Sequence, residues 1–134
     1  MKEDWREVLR HYPMLLSGGA TLVEKDGVVY LVAVGSAPAG NNAEIVARSD
    51  AQRAILKFAN GFTTRMTDEA REELTIVERN MKEEVLHDVE TAIQRIRQEA
   101  SGVIPGLVSI GRWRSSEDTR VFIAFVAKLG GSGL

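Results

Sequence analysis

Glu84 and His87 stand three residues apart, the Glu-x-x-His spacing that offers two metal ligands from one helix face in di-iron bundles. Such a centre needs a second copy of the pair and further carboxylates from facing helices. The chain has no second copy, and its other histidine, His11, belongs to a different element; a solvated polar face accounts for the pair. The passage from Val34 through Gly35, Ser36, Ala37, Pro38, Ala39, Gly40 and Asn41 resembles a phosphate cradle, because loop amides and a helix N-terminus bind anions. It is no P-loop: Asn41-Asn42 stands where Lys-Ser/Thr should follow the last glycine, and Gly-x-Gly-x-x-Gly spacing also fails. Serines 17, 36, 49, 101, 109, 115 and 116 have no nucleophile-elbow context. Glu69, Glu72, Glu73, Glu78, Glu83 and Glu84 fall along one charged helix, where solvation explains them. Arg112-Trp113-Arg114 is the one aromatic flanked by basic residues. On a strand Trp113 faces away from both arginines, so a joint stacking site is awkward and packing is the expectation. No catalytic, cofactor-binding or metal residue is assigned, and the reading is of a protein that is not an enzyme.

Composition narrows the field further. The 134 residues suit one domain able to bury a core without staples. With 44% hydrophobic and 27% charged residues the chain has ordinary globular composition. Seventeen basic against nineteen acidic residues give a net charge of −2, which supplies no footprint for nucleic acid. Cysteine is absent, which removes disulfides, thiolate metal sites and cysteine nucleophiles. The residues from Met1 to Arg6 lack the apolar stretch of a signal peptide, and no segment is apolar enough to span a membrane. The expected location is the cytoplasm if Met1 is the native start, and the periplasm or outer-membrane periphery if a leader precedes it.

The elements that must position these residues follow from periodicity. Trp5, Val8, Leu9 and Tyr12 recur at helical spacing, with Asp4 as cap and Pro13 as stop. Strands are expected at residues 19–25 and 28–36, joined by an Asp26-Gly27 turn. The Gly/Pro segment 35–40 then breaks the strand, and Asn41 with Glu44 has the form of a capping box opening a helix whose apolar stripe is Ala47, Ala51, Ile55, Phe58 and Phe62. Thr67 caps a second helix reaching about residue 101, with the stripe Leu74, Val77, Met81, Val85, Val89, Ile93, Ile96 and Ala100. At about 1.5 Å per residue it makes a rod of about 50 Å, long enough to bend, to break near residues 78–82, or to project toward a partner. Residues 107–114 and 120–128 read as two further strands around a turn at 115–118. The expectation is an α+β domain: a four-stranded antiparallel sheet of ββααββ order, two helices on one face and a short N-terminal helix. The domain covers residues 19–129, preceded by helix and linker at 1–18 and followed by a flexible tail at 130–134.

A half-covered antiparallel strand should alternate apolar and polar, yet residues 28–34 and 121–127 are apolar at every position. Both faces of these strands need cover. One is met by the helices; the other is met by the N-terminal helix through Trp5, Leu9 and Tyr12, or by another subunit, and the two are compatible.

Ala33-Val34-Gly35-Ser36, the Gly/Pro loop, the helix segment 47–54 and Gly111-Arg112-Trp113 leading into a last strand together resemble the small bacterial outer-membrane lipoproteins of the "lipoprotein twenty" type. Similar domains occur in flagellar lipoprotein P and the N-terminal part of flagellar protein T, and the likeness covers about residues 19–128. It implies a non-enzymatic module of the bacterial envelope that self-assembles into a homo-oligomer or ring, with envelope or flagellar proteins as further partners. The residues expected at the oligomer interface are Trp5, Leu9, Tyr30, Val32, Trp113, Phe122 and Phe125. The competing expectation is a module that binds a small molecule or peptide with the 35–42 loop and the sheet face.

Overall fold

A computed structural model of the chain describes residues 3–13, 15, 18–67, 83–98, 104 and 106–131. Helix α1 (Glu3–Leu9) leads to strands β1 (Gly19–Lys25) and β2 (Val28–Pro38). Helices α2 (Ala43–Thr67) and α3 (Glu83–Gln98) follow, and then strands β3 (Val108–Arg114) and β4 (Arg120–Gly131). The strands form one antiparallel sheet in the order β1-β2-β4-β3, so the expected α+β architecture holds. β2 and β4 are central. Their continuous apolar runs follow from that placement, since both faces of these central strands are largely covered, with Tyr30 and Phe122 only half-buried.

The two faces are filled differently. Leu31, Ala33 and Ala37 of β2 join Val121, Ile123 and Phe125 of β4 beneath α2 and α3. Those helices supply Ala47, Ala51, Ile55, Ala59, Phe62, Val89, Ile93 and Ile96. On the opposite face Val23, Val32, Val34, Ala124 and Val126 pack with Trp5, Leu9 and Leu15. The N-terminal segment is therefore part of the core. Trp5 meets Tyr30 edge-on, with ring centroids 4.9 Å apart, and the Lys25 ammonium lies 5.5 Å from the Trp5 ring centre. Partial burial pushes the Tyr12 hydroxyl above its ordinary 10.0, and the Glu24 carboxylate adds to the rise.

Several local expectations need correction. Gly35 to Pro38 do not break β2: they pair with Ile123, Phe122, Val121 and Arg120, because β4 is long enough to keep the ladder going. The first α2 hydrogen bond of full helical span runs from Val46 N–H to the Asn42 carbonyl, so the helix starts one residue later than a capping box at Asn41 requires. Thr67 is the last residue of α2 and not the cap of the next helix, and Asp4 lies inside the first turn of α1. Gly130 and Gly131, expected in a flexible tail, pair with Val29 and Val28. A side chain at Gly130 would crowd Asp88 and the Val85 carbonyl, so glycine there seats α3 on β4. Leu74, Val77, Met81, Ala100 and the question of a continuous rod lie outside the described residues.

The hairpin turns do follow the sequence. Asp26 and Gly27 take φ of 55° and 79°, the left-handed pair that a two-residue turn demands. At the other hairpin the Ser115 hydroxyl accepts from the N–H groups of Thr119 and Arg120, at 3.2 Å each.

Gly35 is where α2 touches the sheet most closely. A Cβ on it would fall 1.8 Å from the Ala47 carbonyl oxygen and 2.7 Å from the Ala51 nitrogen. Both obstacles are backbone, so helix and strand must separate to admit even a methyl group. Gly35→Ala is expected to cost about 3 kcal/mol or more in urea unfolding, whereas Gly40→Ala, with nothing within 4 Å, stays within about 0.5 kcal/mol. Tyr12 predicts an alkaline effect. Below pH 10 both states keep the phenol neutral; as pH rises the unfolded chain loses the proton first, and stability falls until the raised folded value is passed. The stability advantage of wild type over Tyr12→Phe should therefore shrink as the pH rises through 10.0 and beyond, measured by urea unfolding.

Candidate functional site

The sheet face that carries α1 is covered at one end and open at the other. α1 and Leu15 close the region around Tyr30, Val32, Val34 and Val23. Where β3 flanks β4, Trp113 and Phe122 pack at the margin of this cluster and are half-buried, their rings stacked at 5.9 Å and 8°. They are directly opposed across the β3–β4 ladder, the cross-strand arrangement in which aromatic pairs reinforce a sheet. Val108, opposite Val126 on the same face, is 53% exposed. β3 is an outer strand of the sheet, so this apolar strip borders a row of backbone groups with no strand partner among the described residues.

A register shift between Ser109 and Gly111 shapes the strip. The extra residue, Ile110, turns its side chain into the core on the α1 side, beside the position that Gly111 leaves without one. Past the shift, Arg112 and Arg114 pair with Ile123 and Val121 and so lie on the face that carries α2 and α3. Trp113 lies on the other, as strand alternation requires. Both arginines are exposed; Arg114 reaches Asp118 at 3.1 Å, while Arg112 has no polar partner among the described residues.

Of the seven residues expected at an interface, Trp5, Leu9 and Val32 are buried against α1's face of the sheet and Phe125 beneath α2 and α3. Their contacts are made within the chain. Tyr30, Trp113 and Phe122 keep partial exposure. Val108 was not singled out from the sequence, and nothing in an apolar strand run marks which residue lacks a covering neighbour.

The other candidates separate in space. Glu84 and His87 are exposed on α3, and His11 is exposed after α1. Among the described residues no three His, Cys, Asp or Glu side chains gather closely enough to hold a metal, and no helix is long and apolar enough to cross a membrane. The supposed anion loop is reduced to residues 39–42, because 35–38 are strand. Ser36 lies two rungs past the end of β1, and its N–H donates to Asp50 Oδ2 of α2 at 3.0 Å in place of a strand neighbour. Its hydroxyl accepts from Arg120 Nη2 at 2.9 Å. Arg53 adds an ion pair to Asp50 at 3.6 Å. A shallow depression of about 370 Å³ lies along α2, lined by Glu44, Ile45, Arg48, Ser49 and Gln52 of that one helix.

Compared with known protein families, curated proteins and solved structures, the chain matches none.

The open strip should contribute unequally to folding. Trp113→Ala is expected to lower stability by about 2 kcal/mol, from lost stacking and partial burial. Val108→Ser should stay within about 0.5 kcal/mol. Urea unfolding of both variants checks the contrast.

Proposed function

We propose that this chain is a non-enzymatic structural protein that works by associating with copies of itself. The observation that carries the reading is the apolar strip of Val108, Trp113 and Phe122 beside the outer strand β3. Val108 gains nothing for the folded chain by standing more than half in water, and a sheet edge offers backbone hydrogen bonds to any strand laid along it. A half-buried aromatic pair beside a sheet edge, with Arg112 and Arg114 on the other face of the same strand, has the composition of an interface rather than of a catalytic cleft. The bacterial envelope belongs to the proposal on the likeness of residues 33–36 and 47–54 to the small lipoproteins. Those segments meet where Gly35 touches Ala47 and Ala51, so the likeness speaks mainly to how the helix seats on the sheet.

Sedimentation velocity or light scattering with mass determination tests the proposal. At tens of micromolar the expected result is a species heavier than the 14.7 kDa chain, dissociated by Val108→Asp with the fold intact by circular dichroism. A strict monomer sinks it.

A further inference from the structure

We infer that the partner of the β3 edge is the β1 edge of a second copy, so that one sheet continues into the next. The inference rests on the self-association proposed above and names the strand that meets β3. In the order β1-β2-β4-β3, with every neighbouring pair antiparallel, β1 and β3 run in opposite directions. A second copy placed beside the first in the same orientation therefore brings its β1 antiparallel to β3, with its helices on the same side. Both strands are seven residues long.

Charge selects this pairing over the symmetric one. Arg112 and Arg114 stand on the helix-bearing face of β3. Two β3 edges meeting about a two-fold axis would collect four guanidinium groups on one face, a like-charge arrangement that opposes pairing. Glu24, opposite Val29, stands on the helix-bearing face of β1; it is exposed, and among the described residues it has the Tyr12 phenol as an electrostatic neighbour but no hydrogen-bond or ion-pair partner. In the antiparallel register that sets Arg112 across from Leu22, residues 109–114 lie across from 20–25, Val108 falls across from Asp26 just past β1, and Glu24 occupies the position diagonal to Arg112, roughly 7 Å away and within reach of an arginine. On the other face the same register lays Trp113 over Thr21. Because the two surfaces differ, the contact repeats from copy to copy and closes into a ring or runs on as a filament according to the twist between sheets.

The test compares wild type, Arg112→Glu, Glu24→Arg and the double exchange by sedimentation velocity, with circular dichroism as the check on folding. Each single reversal is expected to weaken association roughly tenfold and the double exchange to restore it. Wild-type assembly that ignores all three exchanges overturns the β1–β3 pairing while self-association stands. Tighter assembly of Arg112→Glu alone points to β3 meeting β3 and also overturns it. A wild-type monomer removes self-association itself, and this pairing with it.

Discussion

The approach of α2 to β2 at Gly35 governs the rest of the molecule. Where a strand presents Ala33, Gly35 and Ala37 and the helix answers with Ala43, Ala47 and Ala51, the two backbones come nearly into contact. That closeness fixes the position and tilt of α2 more tightly than large interdigitating side chains would, because neither partner has rotamers with which to adjust. The larger groups Ile55 and Phe62, further along α2, join the same buried cluster. The same approach brings Asp50 within hydrogen-bonding distance of the Ser36 N–H, satisfying the strand where β1 stops. One missing side chain thus sets both the packing of a face and the closure of an edge.

The two faces differ in how completely they are sealed. Two helices of 25 and 16 residues lie over one face, and the seven residues of α1 with the turn after it lie over the other. A short helix bearing Trp5 and Leu9, together with Leu15, buries Val23, Val32 and Val34 but leaves Trp113 and Phe122 at the margin half-buried. The exposed strip beyond it is a geometric remainder, and it falls beside β3 because α1 enters from the β1 side, where Trp5 meets Tyr30 and Lys25. The asymmetry of cover and the asymmetry of the sheet's two edges have the same origin.

Much of the fold was legible because its signals are local. The Asp26-Gly27 turn, the stripes on α2 and α3, the Ser115 to Asp118 turn and the doubly apolar strands each depend on a few neighbouring residues. The failures have a common cause in distance along the chain. Gly35 to Pro38 look like a break until β4 is opposite them, and Gly130-Gly131 look like a tail until Val28 and Val29 take them into the ladder. Of the residues named for an interface, Tyr30, Trp113 and Phe122 keep partial exposure, whereas Trp5, Leu9, Val32 and Phe125 share their apolar character and are covered within the chain, a difference the sequence does not mark. Cover is a property of the assembled sheet, and Val108 shows that an apolar strand residue carries no local mark of lacking it.

The central pairing of β2 with β4 joins residues about ninety positions apart, as where Val34 meets Ala124. During synthesis β2 leaves the ribosome before either of the helices that follow it, with its partner β1 at hand and apolar side chains on both faces. Its other neighbour emerges only after both helices have been made. A sheet wired in this order cannot complete its core cotranslationally until almost the whole described chain is out, and contacts so remote in sequence form slowly. Until then the half-built sheet offers β2 as a bare edge, open to capture by a chaperone or by the β4 of a neighbouring nascent chain.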